Sequence, residues 1–264
     1  MRKESVLLFI VKPISHKFAA MRKTLAAILL LSPLFSIAQN RINEYNNIGW
    51  YALFVTPRIS KKISAHIEYQ WRRVEWIKNW QQSLPRVGIN YKINSNLTLQ
   101  AGYAFIHTFP YGTTTLAAVP KTFPEHRSYE QVTITTPVGK TNFSHRLRLE
   151  QRWIGRYNSI ESEKPDKWVY VNRIRYMPRL DIPLNKKWYI AGYDEILISF
   201  GKNIGENIFD QNRIALMAGC KFNKYFRIEA GYINQIIQLA REVDNKNIFQ
   251  HNNGIVLNTY ININ

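Results

Sequence analysis

The residues of this chain best suited to chemistry are its arginines. In the run Arg146-Leu147-Arg148-Leu149-Glu150-Gln151-Arg152, a charge stands at every second position. Extended backbone turns successive side chains to opposite faces, so Arg146, Arg148, Glu150 and Arg152 share one face. Arg173, Arg175 and Arg179 share one face of another segment, and alternation allows Glu68, Arg72, Glu195, Arg213, Arg227 and Glu229 to meet the same interior. A guanidinium surplus in a confined space attracts carboxylates and phosphates, because the planar fork donates two parallel hydrogen bonds. The same residues fit a second purpose. Charges buried in a narrow space are costly unless paired, so an Arg–Glu ladder filling that space is the structural alternative.

Catalysis is a third reading, carried by His66, His107, His126, His145 and His251 with scattered serines. A lipid-acting hydrolase needs a serine and a histidine within hydrogen-bond reach. No GxSxG elbow is present and no spacing ties a Ser to a His, so the chain reads as a non-enzyme. Metal and cofactor sites are not expected: Cys220 is the lone cysteine and no HExxH arrangement occurs. Val138-Gly139-Lys140-Thr141 ends like a phosphate loop but lacks its earlier glycine, and reads as a hairpin turn.

The elements that must position these arginines are strands. Ile63, Ala65, Ile67, Tyr69 and Trp71 alternate with Ser64, His66, Glu68, Gln70 and Arg72. Leu97, Leu99, Ala101, Tyr103 and Phe105 alternate with Thr98, Gln100, Gly102 and Ala104, and Phe226 to Tyr232 repeats the pattern. Helical spacing would spread these charges around a cylinder, so the segments are amphipathic strands. Asp194 and Glu195 are adjacent, so one must face outward; Glu195 is expected inside.

Eleven segments begin near residues 47, 62, 84, 96, 126, 143, 168, 187, 209, 225 and 249. Short turns are expected at 61–62, 94–96, 139–142, 185–187 and 223–224, and longer links at 75–80, 109–124, 159–166, 201–207 and 241–246. Short turns at one rim and long loops at the other describe an all-β, transmembrane, antiparallel up-and-down β-barrel, with the short turns periplasmic. The 109–124 link is the largest loop and is placed to fold into the mouth. Single-chain barrels normally have an even strand number, which makes the range ten to twelve. Eleven then implies a missed strand or a segment outside the wall. The stretch Gln39 to Asn46 would form an extra short strand or thread the lumen.

An address precedes the strands. Met21-Arg22-Lys23, the apolar run from Leu25 to Phe35, and Ser36-Ile37-Ala38 before Gln39 read as a cleavable signal peptide. Residues 1–38 are therefore an upstream extension and signal peptide, with Met21 the expected start and cleavage after Ala38, and 39–264 are the barrel. The chain has 36 Lys and Arg against 18 Asp and Glu. Removal of residues 1–38 leaves 30 against 17, still strongly basic. Export and the spread of basic residues over many strands argue against nucleic acid. The partners expected are outer-membrane lipid and lipopolysaccharide, the barrel-assembly machinery, which reads a terminal strand such as Gly254 to Asn264, and anionic solutes.

The chain resembles, nearly end to end, the exported barrels grouped as domain of unknown function 2490. The likeness rests on Trp50 before the first turn, on Glu125-His126-Arg127, and on the run Arg146 to Arg152. It rests also on Tyr193-Asp194-Glu195 and on Asp210-Gln211-Asn212-Arg213 leading to Gly219. The resemblance implies a porin-like β-barrel in the outer membrane of a Gram-negative bacterium. It brings no substrate or reaction. Two functional readings stand together: a small anion-favouring pore or solute-binding barrel with an Arg-rich lumen, and a barrel plugged by its own Arg–Glu pairs whose extracellular loops interact.

Overall fold

A computed structural model describes residues 41–204 and 208–264. The upstream extension and signal peptide lie outside the described residues. Eleven strands follow in order: β1 (Arg41–Pro57), β2 (Ile63–Val74), β3 (Asn79–Lys92), β4 (Leu97–Thr108), β5 (Phe123–Val138) and β6 (Thr141–Arg156). They continue with β7 (Lys167–Pro183), β8 (Trp188–Phe200), β9 (Phe209–Lys221), β10 (Phe226–Val243) and β11 (Lys246–Ile263). Neighbours in sequence pair antiparallel, and β1 pairs with β11 to close the barrel.

That closure corrects the expectation of an even number. All eleven segments stand in the wall. In an up-and-down barrel with an odd count the first and last strands run the same way, so the seam is parallel. Its register is unbroken from Arg41 opposite Asn247 to Pro57 opposite Ile263. The stretch Arg41 to Asn46 is neither a separate strand nor a thread through the lumen; it is the beginning of β1, opposite Asn247 to Asn252. Gly254 makes the seam fit, because a Cβ there would lie 1.7 Å from the carbonyl oxygen of Ile48.

The alternation read from sequence sorts the two faces. Ile67 and Tyr69 are 46% and 41% exposed on the outer wall, whereas Glu68 between them is 3% exposed. Outward Val87, Ile89, Leu147, Leu149, Leu216 and Leu257 continue an apolar exterior. Such a wall leaves water only if something apolar covers it, and a closed ladder satisfies every backbone group without solvent.

Four turns at one rim share a design. Asn94 Oδ1 accepts the backbone N–H of Asn96 and Leu97 at 2.8 and 2.9 Å, and Asn185 Oδ1 accepts those of Lys187 and Trp188 at 2.9 Å each. Asn223 Oδ1 repeats this with Tyr225 and Phe226 at 2.8 and 2.9 Å. Ser60 Oγ does the same for Lys62 and Ile63 at 3.3 and 3.1 Å. A short polar side chain that mimics the next turn of backbone fixes each hairpin. The fifth connection at this rim, at Gly139-Lys140, takes its left-handed residue from glycine, φ +60°.

At the opposite rim two links are tighter than expected. The 241–246 link reduces to the pair Asp244-Asn245, both with left-handed φ of 52° and 55°, which matches the twist of the hairpin. The 75–80 link reduces to residues 75–78 between β2 and β3. Residues 109–122, between β4 and β5, do fold into the mouth. Tyr111 is buried against Ile48, Trp50, Val74 and Ile233, and Leu116 packs on the same cluster. Thr114 bonds the Glu44 carboxylate through its hydroxyl and backbone N–H, and Gln250 Nε2 and Arg241 Nη2 reach the Thr114 and Thr115 carbonyls at 2.6 and 3.0 Å.

Candidate functional site

Strand pleating gathers a charge network at the barrel's waist. Eleven arginines turn inward: Arg72 on β2, Arg86 on β3, Arg127 on β5, Arg146, Arg148 and Arg152 on β6, Arg173, Arg175 and Arg179 on β7, Arg213 on β9 and Arg227 on β10. Seven carboxylates face them: Glu68, Glu125, Glu150, Asp181, Glu195, Asp210 and Glu229. Cations outnumber anions.

Glu150, fully buried, is the hub. Its Oε2 accepts Arg173 Nε and Nη2 at 2.9 and 2.6 Å, and its Oε1 accepts Arg175 Nη1 at 2.7 Å. Arg173 continues to Asp210 at 2.5 Å, and Arg175 grips both oxygens of Glu195 at 2.7 and 2.9 Å. Arg146 reaches Glu195 at 2.6 Å, with Arg213 at 3.4 Å. Arg152 forks onto both Glu125 oxygens at 2.9 Å, and Arg127 Nε joins it at 2.7 Å. Arg86 holds Glu68 at 2.6 and 2.7 Å. Nearer the short-turn rim, Glu229 accepts Arg179, Tyr189 and Tyr260 at 2.5, 2.7 and 3.0 Å.

The surplus guanidinium groups rest on amides and aromatic faces. Arg72 donates to Gln70 and Gln82, each at 2.8 Å, and lies 3.8 Å above the Trp50 ring. Arg213 stands 5.2 Å from that ring, so Trp50 touches two cations. Tyr129 does the same between Arg86 at 5.3 Å and Arg148 at 4.5 Å. Arg148 donates twice to Gln131 Oε1, and Arg227 lies 4.1 Å over Tyr260. A desolvated cation over an aromatic face gains about 2 kcal/mol, which lowers the cost of the excess without neutralising it.

Between these groups lies a cavity of about 140 Å³, lined by Trp50, Arg72, Arg86, Arg146, Arg148 and Arg213 among others. An apolar cavity of about 150 Å³ admits benzene, which sets the scale of solute that fits. Buried donors there lack an acceptor: Nε of Arg86, Arg146 and Arg213, and Nη1 of Arg148. A buried donor without a partner costs about 1–3 kcal/mol, and an anion in the cavity would supply the acceptors.

Every arginine and glutamate proposed from alternation faces the interior, and Glu195 is inside while Asp194 faces out, capped by Asn212 Nδ2 at 2.6 Å. Arg227 joins no carboxylate among the described residues. Sequence reasoning left Arg86, Arg127, Glu125, Asp181 and Asp210 out of the cluster. Alternation would have found the first four. Asp210 lies beside the irregularity in the β8–β9 register, where the parity rule fails.

The outer wall bears on the hydrolase alternative. His126 and Ser128 both face outward on β5, yet Ser128 Oγ donates to Gln151 Oε1 at 2.7 Å and His126 Nδ1 pairs with the Tyr103 hydroxyl. His66 bonds Glu68, His145 bonds Tyr176 and His251 bonds Asn43. Among the described residues no histidine bonds a serine, and no cluster has the makings of a metal site.

The sequence matches the family described as "Protein of unknown function (DUF2490)" over residues 47–247. No curated protein matches it. Among solved structures it is similar to one described as the NanC porin in a rhombohedral crystal form, with 11% identity and a TM-score of 0.43. That alignment covers 71% of this chain and 85% of that one. A second similarity, to a structure described as a porin, has 12% identity and a TM-score of 0.34, covering 77% of this chain and 60% of that one.

Proposed function

From the premise that this chain belongs to the DUF2490 family, we propose that it is an outer-membrane barrel of a Gram-negative bacterium whose lumen binds and favours small anions. The observation that carries this reading is the imbalance of eleven inward arginines against seven carboxylates, ten of those arginines lining a cavity where four guanidinium groups keep unaccepted N–H donors. The network lacks acceptors, and a carboxylate- or phosphate-bearing solute provides them. The barrel acts without catalysis on this reading, since the outward serine and histidine are each committed to other partners.

The second reading, a barrel plugged by its own pairs, draws on residues 109–122, tied to Glu44, Arg241 and Gln250 across the mouth. The two combine: the lumen selects by charge and the loop limits entry. The test is a titration of the refolded barrel with phosphate, citrate and, as control, a neutral sugar, read by fluorescence against a Trp50→Phe variant. Trp50 lies against Arg72 and Arg213, so anions should change its emission saturably and the sugar should not. No anion-specific change at Trp50 sinks the reading.

A further inference from the structure

The rim formed by the short turns carries a second, separate concentration of positive charge. In the four turns fixed by Ser60, Asn94, Asn185 and Asn223, geometry demands only that one capping residue. The two positions after it are free, and they hold Lys61 and Lys62, Ser95 and Asn96, Lys186 and Lys187, Lys224 and Tyr225. Lysine fills five of these eight unconstrained positions and acid none. Arg58, Lys92 and Lys221 flank the same turns, Lys140 stands in the fifth connection of this rim, and all of these cations are exposed and without an ion pair among the described residues. The carboxylates nearest this rim are taken: Asp181 by Arg179 at 2.8 Å, and inward Glu229 by Arg179, Tyr189 and Tyr260.

The opposite rim differs. There Glu75, Glu161, Glu163, Asp166, Glu242 and Asp244 are interspersed with the basic residues. The asymmetry is therefore local to one rim and does not follow from the basic composition of the whole chain. Directly beside the lysines, Trp188, Phe222 and Tyr225 stand outward and are 50%, 56% and 39% exposed. Aromatic rings beside lysines mark the level where acyl chains meet headgroups: the rings sit among the glycerol groups, and the flexible ammonium tips reach the phosphates.

We propose that the short-turn rim is a collar that binds the phosphates of anionic phospholipids in the leaflet it faces. This rests on the membrane placement given under the proposed function. A soluble acidic protein would need no aromatic belt beneath the lysines, and the ring arrangement suits many headgroups side by side better than one compact partner.

The test uses the full barrel reconstituted in phosphatidylcholine bilayers with trace spin-labelled phosphatidylglycerol or phosphatidylcholine, which reads the relative association of each lipid with the wall. Basic residues at a membrane surface each favour anionic lipid by roughly fivefold, so clear phosphatidylglycerol enrichment is expected, falling as salt rises. The variant K186Q/K187Q/K221Q/K224Q should lose most of it. These exposed side chains join no ion pair among the described residues; Lys221 and Lys224 lie 5.3 and 4.8 Å from the Tyr189 and Tyr225 rings, so heat-modifiable gel migration is used to confirm folding of the variant. The salt titration of the unmutated barrel checks the claim independently. Equal association of both lipids overturns the collar. So does enrichment that survives the quadruple variant but falls in K164Q/K167Q/K202Q at the other rim, or selectivity for lipopolysaccharide over phosphatidylglycerol. A chain that does not enter bilayers overturns the membrane placement together with the collar, whereas insertion without lipid selectivity overturns the collar alone.

Discussion

Removing the charge of Glu150 should damage this barrel far more than removing the charge of Arg148, although the two side chains stand two residues apart on one face of β6. Glu150 is wholly buried and accepts three hydrogen bonds from Arg173 and Arg175, with Arg127 and Arg148 at 3.5 and 3.8 Å. Deleting one partner of a buried charge cluster costs about 3–5 kcal/mol, because the remaining charges are left uncompensated in a poorly hydrated site. Glu150→Gln keeps an acceptor oxygen and the side-chain shape, so its cost should be about 3 kcal/mol, and Glu150→Ala about 5 kcal/mol. Arg148 belongs to the surplus. Arg148→Met forfeits two bonds to Gln131, the contact with Tyr129 and the long 3.8 Å ion pair with Glu150, but it removes a repulsive charge from a lumen already rich in cations. Its net cost should stay within about 1 kcal/mol. The assay is reversible urea unfolding of the refolded barrel in detergent micelles, followed by tryptophan fluorescence. Phosphate should restore part of the loss in Glu150→Gln, since the variant lumen is more positive still. Equal costs for Glu150→Gln and Arg148→Met would refute the idea that the lumen is imbalanced in favour of cations.

Four further outcomes follow from particular contacts. Asn185→Ala removes two side-chain hydrogen bonds of one turn and should cost about 1–2 kcal/mol in the same urea assay, leaving anion binding unchanged. Gly254→Val places a Cβ against the Ile48 carbonyl at the parallel seam and should abolish the heat-modifiable folded band on gels, whereas Gly192→Val, with 3.6 Å of room, should not. Glu44→Gln weakens the tie to Thr114 and should raise proteolytic cutting within residues 109–122. The Asp166 carboxyl in the loop after β6 is held below its ordinary value, first of all by the Asn158 backbone N–H. Its tie is complete above the unfolded carboxylate range and is lost as pH falls through the lowered value, so amide exchange at Asn158, corrected for intrinsic rate, should quicken only in acid.

The division of residues between wall and lumen was legible in the sequence because a strand's period of two is a local property. Glu68 between Ile67 and Tyr69 needed no partner to be assigned inward. Turn chemistry was legible too, though the recurrence of an apolar residue, Asn, two free positions and a second apolar residue at 93–97, 184–188 and 222–226 was a stronger signal than the turns taken singly. What sequence could not show was pairing across distance. The parallel seam joins residues separated by most of the chain, and parity rules say nothing about which strand closes on which. Some arginine partners are local to one hairpin, with Arg173 opposite Glu150 and Arg213 opposite Glu195 in the ladder, but the exact register of each hairpin and the reach of Arg146 across β7 to Glu195 were hidden. Tyr111 in the mouth is likewise a non-local outcome of loop packing.

Charge selection by the lumen is read most directly as current through a single barrel. The refolded chain, with residues 112–117 replaced by a flexible segment of equal length to free the mouth, is placed in a planar bilayer under a salt gradient. An anion-selecting lumen gives steady steps whose reversal potential favours chloride over potassium, with selectivity falling when Arg72 and Arg148 are both changed to Met. Cation selectivity, or anion selectivity indifferent to that pair of substitutions, would contradict it.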